Sequence, residues 1–296
     1  MSGLAEHVAR TSLRWFRGYT SRVIPTSMGR MHVLEGQGRG HRPPLVMLHG
    51  LSSAGVHFLP MLGPLQRAFA RIILLDLPGH GFSDAPRLRE APGFHDATLE
   101  ALDRVVGEPA LVFGNSLGGY AAIRYALERP YRVAGLFLAS PAGAAMTDED
   151  LEEFRPLFRL RDHRDALAFV DKLLAKPTLV RHALAWGIRR QFRRPEVNDV
   201  LRIAATEHLL TPDDLSRLEV PTVLFWGRAE RILPQRSLDF FRAHLPRHAR
   251  VEEPEGFGHS PFLDDPRALA DRLVRFGDEV LEARRAEPLA RLRRVV

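Results

Sequence analysis

Apolar and polar positions change period several times along this chain. Short unbroken apolar runs recur, each bounded by turn-forming residues. The clearest are Leu45-Val46-Met47-Leu48 and Ala110-Leu111-Val112-Phe113, with others near 72–76, 133–139, 222–226 and 248–252. Runs of this length without alternation fit strands buried on both faces, as in a parallel sheet. Segments with helical spacing lie between them. The pattern predicts an α/β fold: a mostly parallel, doubly wound, eight-stranded sheet with helices on both faces. Val23-Ile24 and residues 31–34 predict two earlier, antiparallel strands. Residues 4–17 predict a short helix with Leu4, Val8, Leu13 and Phe16 loosely on one side.

The alternation breaks once. About eighty residues separate the strand ending near Ala139 from the one starting near Thr222, and none of them reads as strand. A plain crossover needs far fewer. The stretch carries helical patterns at 148–158 and 164–175, broken at Pro177 and again at Pro195. The expected division is an N-terminal helical extension at 1–20 and a core at 21–142 and 217–282. A helical insertion occupies 143–216, and a basic tail 283–296.

The candidate chemistry sits at the ends of the apolar runs. Gly114-Asn115-Ser116-Leu117-Gly118 follows one strand directly and opens a helix. A G-x-S-x-G in that setting is a nucleophile elbow, a strained turn that exposes a serine oxygen. The strand at 45–48 runs into His49-Gly50-Leu51, and the 222–226 strand into Gly227-Arg228-Ala229-Glu230. Near the C-terminus, Gly256-Phe257-Gly258-His259-Ser260-Pro261 places a histidine in a Gly/Pro-rich loop. A serine hydroxyl needs a base to become nucleophilic, and imidazole titrates near neutrality. A carboxylate on the other ring nitrogen fixes the tautomer. The chain order Ser116, Glu230, His259 is that of serine, acid, histidine.

With Asp76-Leu77-Pro78-Gly79-His80-Gly81-Phe82-Ser83-Asp84 and the later Pro266, these motifs make the chain resemble the α/β-hydrolase fold superfamily over roughly residues 20–280. The resemblance implies a serine hydrolase with Ser116 as nucleophile, His259 as base and Glu230 as the acid. The backbone N–H groups of Leu51 and Leu117 would form the oxyanion hole, and 143–216 would be a cap over the site. Trp186 and Phe192 are candidate pocket residues within that cap. One departure is Glu230, where the family usually has Asp. The alternative acid position, after the preceding strand, reads Leu138-Ala139-Ser140-Pro141 and offers no carboxylate. Asn115 reads as a turn residue. His49, His80, Ser83 and Asp84 read as loop hydrogen bonding that shapes the floor of the site.

The expected substrate is a small-molecule carboxylic ester with an apolar acyl or alcohol part, cleaved through an acyl-serine intermediate. The elbow serine argues against relatives of this fold that use an aspartate nucleophile. The alternatives are a carbon–carbon hydrolase of ring-cleavage products, against which Ser260 counts, and an acyltransferase or thioesterase. A non-catalytic ligand-binding protein is the alternative of another class.

Composition adjusts this picture only slightly. With 45% hydrophobic residues the chain can bury a large core. It has no cysteine, hence no disulfide framework and no thiol nucleophile. No cofactor fingerprint or metal-ligand cluster is apparent. The net charge of +6 comes almost wholly from arginine, since Lys172 and Lys176 are the only lysines. The arginines are scattered, so no nucleic-acid partner is expected. Arg189, Arg190, Arg193 and Arg194 read as part of this bias rather than as a subsite for an acidic group. Arg284, Arg285, Arg291, Arg293 and Arg294 read as a solvated end with weak attraction to anionic membranes. Residues 4–17, with Trp15, Arg14 and Arg17, are a second candidate for membrane-surface contact. A cytoplasmic location is the expectation; the oligomeric state is left open.

Overall fold

The apolar runs become the inner strands of one sheet. The computed structural model describes residues 4–27, 29–85, 91–203 and 208–293. The strands are β1 (Tyr19–Thr26), β2 (Gly29–Gln37), β3 (Leu45–Leu48), β4 (Arg71–Leu75), β5 (Ala110–Asn115), β6 (Val133–Ala139), β7 (Thr222–Phe225) and β8 (Arg250–Glu252). Their order is β1-β2-β4-β3-β5-β6-β7-β8. β1 and β2 form an antiparallel hairpin with Ile24 opposite Met31, and β2 runs antiparallel to β4. From β4 to β8 every pairing is parallel. The early hairpin is longer than the sequence pattern suggested, because its exposed face carries polar residues that mask the strand signal.

Alternate residues of each inner strand point to opposite faces, as the pleat requires. On one face Val46, Leu48, Val112, Leu136, Leu138 and Leu224 join a single apolar cluster. On the other, Leu45, Met47, Leu111, Phe113, Phe137 and Phe225 join a second.

The helices are α1 (Leu4–Arg17), α2 (Leu62–Ala68), α3 (Ala91–Val105), α4 (Leu117–Glu128), α5 (Asp148–Phe154), α6 (His163–Leu173), α7 (Arg181–Phe192), α8 (Pro195–Ile203), α9 (Pro212–Ser216), α10 (Gln235–His244), α11 (Pro261–Asp264) and α12 (Pro266–Arg293). α3, α4 and α10 cover the first face; α1, α2 and α12 cover the second. Among the described residues, no helix is long and apolar enough to cross a membrane.

Between β6 and β7 the described residues form helices α5 to α9. The break expected at Pro195 falls between α7, which ends at Phe192, and α8, which Pro195 opens, where a missing N–H costs nothing. Ala166, Val170, Leu174 and Ala185 form an apolar cluster of the insertion's own. Its last part behaves differently. Leu210 and Leu215 pack into the cluster on the sheet, and the Leu210 N–H donates to the carbonyl of Gly143. The apolar contacts therefore return this stretch to the core before residue 216.

In α1, Leu13 is fully buried while Val8 is exposed; the side chains of Leu4, Trp15 and Phe16 lie outside the described residues. Residues 283–293 of the basic C-terminal segment continue α12 as helix, with Arg284 and Arg285 exposed. Good helix formers there (Leu281, Glu282, Ala283) carry the helix past the point where burial ends. The side chains of Arg291 and Arg293, and the whole of Arg294, lie outside the described residues.

Candidate active site

Ser116 stands between the end of β5 and the start of α4 with φ 53° and ψ −118°, a conformation that costs a non-glycine residue about 1–3 kcal/mol. The surroundings hold it there. Its N–H donates to the carbonyl of Ala139, and its own carbonyl accepts from Gly119, Tyr120 and Ala142. Gly118 is required for close approach: a Cβ there would lie 2.2 Å from the carbonyl oxygen of Leu48. Ser52 (φ 61°) and Ser140 (φ 41°) are the other non-glycine residues of positive φ among the described residues. Strain thus gathers on three serines around one site.

Glu230 and His259 meet because the pairing of β7 with β8 continues into their loops. The N–H of Trp226 donates to Glu252, that of Arg228 to Pro254 and that of Ala229 to Phe257. Gly227 permits this contact, since a Cβ there would lie 2.1 Å from the Phe257 carbonyl oxygen. His259 Nδ1 then donates to Glu230 Oε2 at 2.8 Å, with both side chains buried. The other oxygen, Oε1, accepts from the N–H groups of Ile232 at 2.7 Å and Leu233 at 3.0 Å. Burial alone would raise the Glu230 carboxyl. The facing His259, the nearby Ser140 and the Leu233 N–H outweigh that and hold it below the ordinary carboxylate range. The loop is closed by a turn in which the Glu230 N–H donates to the carbonyl of Gly227.

Asn115 has more to do than make a turn. Its Nδ2 donates to the carbonyl of Ala139 at 3.0 Å and to that of His259 at 2.9 Å, tying the elbow to the histidine loop. Asp264 supplies a second tie. Its carboxylate accepts from Gly258 on the histidine loop and from Ala175 at the end of α6, both at 2.8 Å. No spacing rule in the sequence marks either role, because the partner groups are backbone atoms far away in the chain.

On the opposite wall, His49 is fully buried. Burial pushes its imidazole down to about 4, so the ring is neutral near neutral pH. Leu77 N–H donates to Nε2 at 3.0 Å, leaving the proton on Nδ1, which donates to the carbonyl of Gly50 at 2.8 Å. His80 and Ser83 likewise bond the loop that follows β4. His80 Nδ1 donates to Pro78 and Ser83 Oγ to Asp76. Asp84 pairs with Arg30 at the surface.

Ser116, His259, Leu51 and Leu117 border one cavity of about 290 Å³. Its walls are mainly apolar and come from both the sheet side and the insertion, including Phe154, Phe158, Phe169, Leu184, Ile188 and Phe192. His57 adds a polar group that burial keeps below its ordinary pKa, with Nδ1 accepting from Ser53 Oγ and Ala54 N–H. Phe192 borders this cavity. Trp186 does not: it is 64% exposed and lies away from it. Leu184, Ile188 and Phe192, spaced by four, form the inner face of α7, and Trp186 falls on the outer one.

The family model for the α/β hydrolase family matches residues 45–272. The chain belongs to the α/β hydrolase family. A pimeloyl-[acyl-carrier protein] methyl ester esterase of Nitrosomonas europaea is 31% identical over 241 residues, covering 77% of this chain and 92% of the relative. The corresponding esterase of Xanthomonas oryzae pv. oryzae is 32% identical over 257 residues, covering 80% and 96%. Among solved structures, a bacterial membrane phospholipase A superposes with a TM-score of 0.79 at 24% identity, covering 93% of this chain and 91% of that one. At such identity the likeness speaks for the fold alone.

Proposed function

We propose that this α/β hydrolase is a serine carboxylesterase acting through an acyl-serine intermediate. The observation that carries the reading is the buried His259–Glu230 pair, whose histidine borders the same apolar cavity as a strained serine. His259 takes the proton of Ser116 as the hydroxyl attacks the ester carbonyl, and returns it to the departing alcohol. It then activates water for the second half of the reaction. Glu230 holds the imidazole by Nδ1 and stabilises its charged form. The oxyanion is received by the N–H groups of Leu117 and Leu51. The first opens α4, whose leading N–H groups have no partner within the helix. Each donor lowers the barrier by about 3–4 kcal/mol.

Helices α5 to α8 serve as the cap. The apolar lining favours an ester with an apolar acyl chain, and the esterase names of the relatives point the same way. The methyl ester of a pimeloyl-type acyl group is the form those names suggest. A cytoplasmic location is part of the same proposal, checked by cell fractionation. The reading is tested by p-nitrophenyl esters from acetate to palmitate. Turnover with an optimum at intermediate chain length supports it; no turnover on any chain length, with no labelling of Ser116 by a fluorophosphonate, refutes it.

A further inference from the structure

Helix α7 has two unlike faces. Leu184, Ile188 and Phe192 wall the cavity. The outward face carries His182, Trp186, Arg190 and Arg193, all exposed. Immediately before it, Leu179 is 103% exposed and Val180 57%, so the turn leading into α7 stands clear of the surface with its apolar side chains bare. Trp186 adds its indole, with the Arg190 guanidinium 5.8 Å from the ring. Contiguous exposed apolar surface, unlike scattered single residues, marks an interaction site. Along the chain the neighbouring charge is positive, with Asp171 an acidic group paired to it, 3.7 Å from Arg181. Residues 172–194 hold seven Lys or Arg and no Asp or Glu, and both lysines of the chain, Lys172 and Lys176, lie there, exposed.

We propose that this outer face of the insertion docks on a bilayer containing anionic lipid. Leu179, Val180 and Trp186 enter the boundary between headgroups and acyl chains, while Lys176, Arg190 and Arg193 lie against lipid phosphates. Neither element suffices alone: a few apolar side chains give weak adsorption and a few charges a salt-sensitive one, but together they anchor. Indole rings favour the headgroup level. A projecting apolar tip ringed by cations suits a deformable lipid surface better than a flat protein face. The contact would bring the outer side of α7 to the membrane while its inner side lines the acyl cavity.

The test is co-sedimentation of the full chain with phosphatidylcholine vesicles, with and without phosphatidylglycerol. Binding is expected only to the phosphatidylglycerol vesicles and is expected to weaken at high salt. The Leu179→Asp/Trp186→Asp and Lys176→Glu/Arg190→Glu pairs are each expected to weaken it by about tenfold or more, with thermal melts confirming that both fold. None of these residues borders the cavity, so the assay stands whether or not the protein hydrolyses esters. Failure of the intact chain to bind anionic vesicles overturns the proposal. So does unchanged binding by both folded pairs, including the case where Arg284→Glu/Arg285→Glu abolishes binding instead, or where only an acidic protein is bound.

Discussion

The Nδ1–H of His49 donates to the carbonyl oxygen of Gly50 at 2.8 Å, gripping the very peptide unit whose N–H belongs to Leu51. In a planar trans peptide the carbonyl and N–H point in opposite directions. Fixing one on the buried ring therefore aims the other. His49→Ala is expected to lower kcat by about 10- to 100-fold with little change in KM, because the donor matters most when negative charge develops. His49→Asn, which keeps a donor near the Nδ1 position, is expected to recover part of the loss. Steady-state kinetics on a soluble ester reads both.

Glu230 serves His259 with one oxygen and two backbone N–H groups with the other. Glu230→Gln preserves the volume and the backbone bonds but removes the charge, and kcat is expected to fall by about 10³- to 10⁴-fold. Glu230→Asp keeps the charge but cannot span both sets of partners; a loss of about 10²-fold is expected. Equal activity of the Asp variant and the intact enzyme would show that the loop places no demand on length.

Two buried imidazoles, His49 and His80, contribute strongly to the acid side of the stability curve. Burial pushes His49 down to about 4 and His80 to about 3. Both are neutral when folded, whereas in the unfolded chain they take up protons near 6.5. The unfolded state then binds more protons, so stability is full above about pH 6.5 and declines as pH falls toward 4 and 3. Across that window His49 costs on the order of 3 kcal/mol and His80 on the order of 5. Urea unfolding between pH 7.5 and 4.5 measures the slope, and His80→Asn is expected to reduce it by about one proton's worth.

Phe192 helps to wall the cavity beside Ser116, its ring packing 5.4 Å from Phe169 and 5.9 Å from Phe158. Phe192→Ala is expected to move the optimum to longer acyl chains, with roughly a tenfold gain in kcat/KM for them relative to short ones. Trp186→Ala is expected to leave the chain-length profile on soluble esters unchanged. A shift in the Trp186 profile would place that residue in the pocket after all.

The contrast between these two residues shows how far the chain could be read unaided. Strands β3 to β7 were legible because burial on both faces leaves unbroken apolar runs. Ser116 was legible because the elbow needs small residues at fixed offsets. Glu230 and His259 could be placed at strand ends, yet their contact depends on how the β7 and β8 loops run side by side. Trp186 was misread for lack of phase: six residues from Phe192, it sits about 240° away around a helix, and both cannot face one cavity. The ties made by Asn115 and Asp264 left no trace in the sequence, because each joins a side chain to distant backbone.

The most direct measurement is kcat/KM for a p-nitrophenyl ester near the chain-length optimum, compared between the intact chain and a folded Ser116→Ala variant. If Ser116 carries the acyl group, the variant loses about 10³-fold or more. Turnover by Ser116→Ala within about tenfold of the intact chain would contradict the acyl-serine mechanism and move the chemistry to another residue.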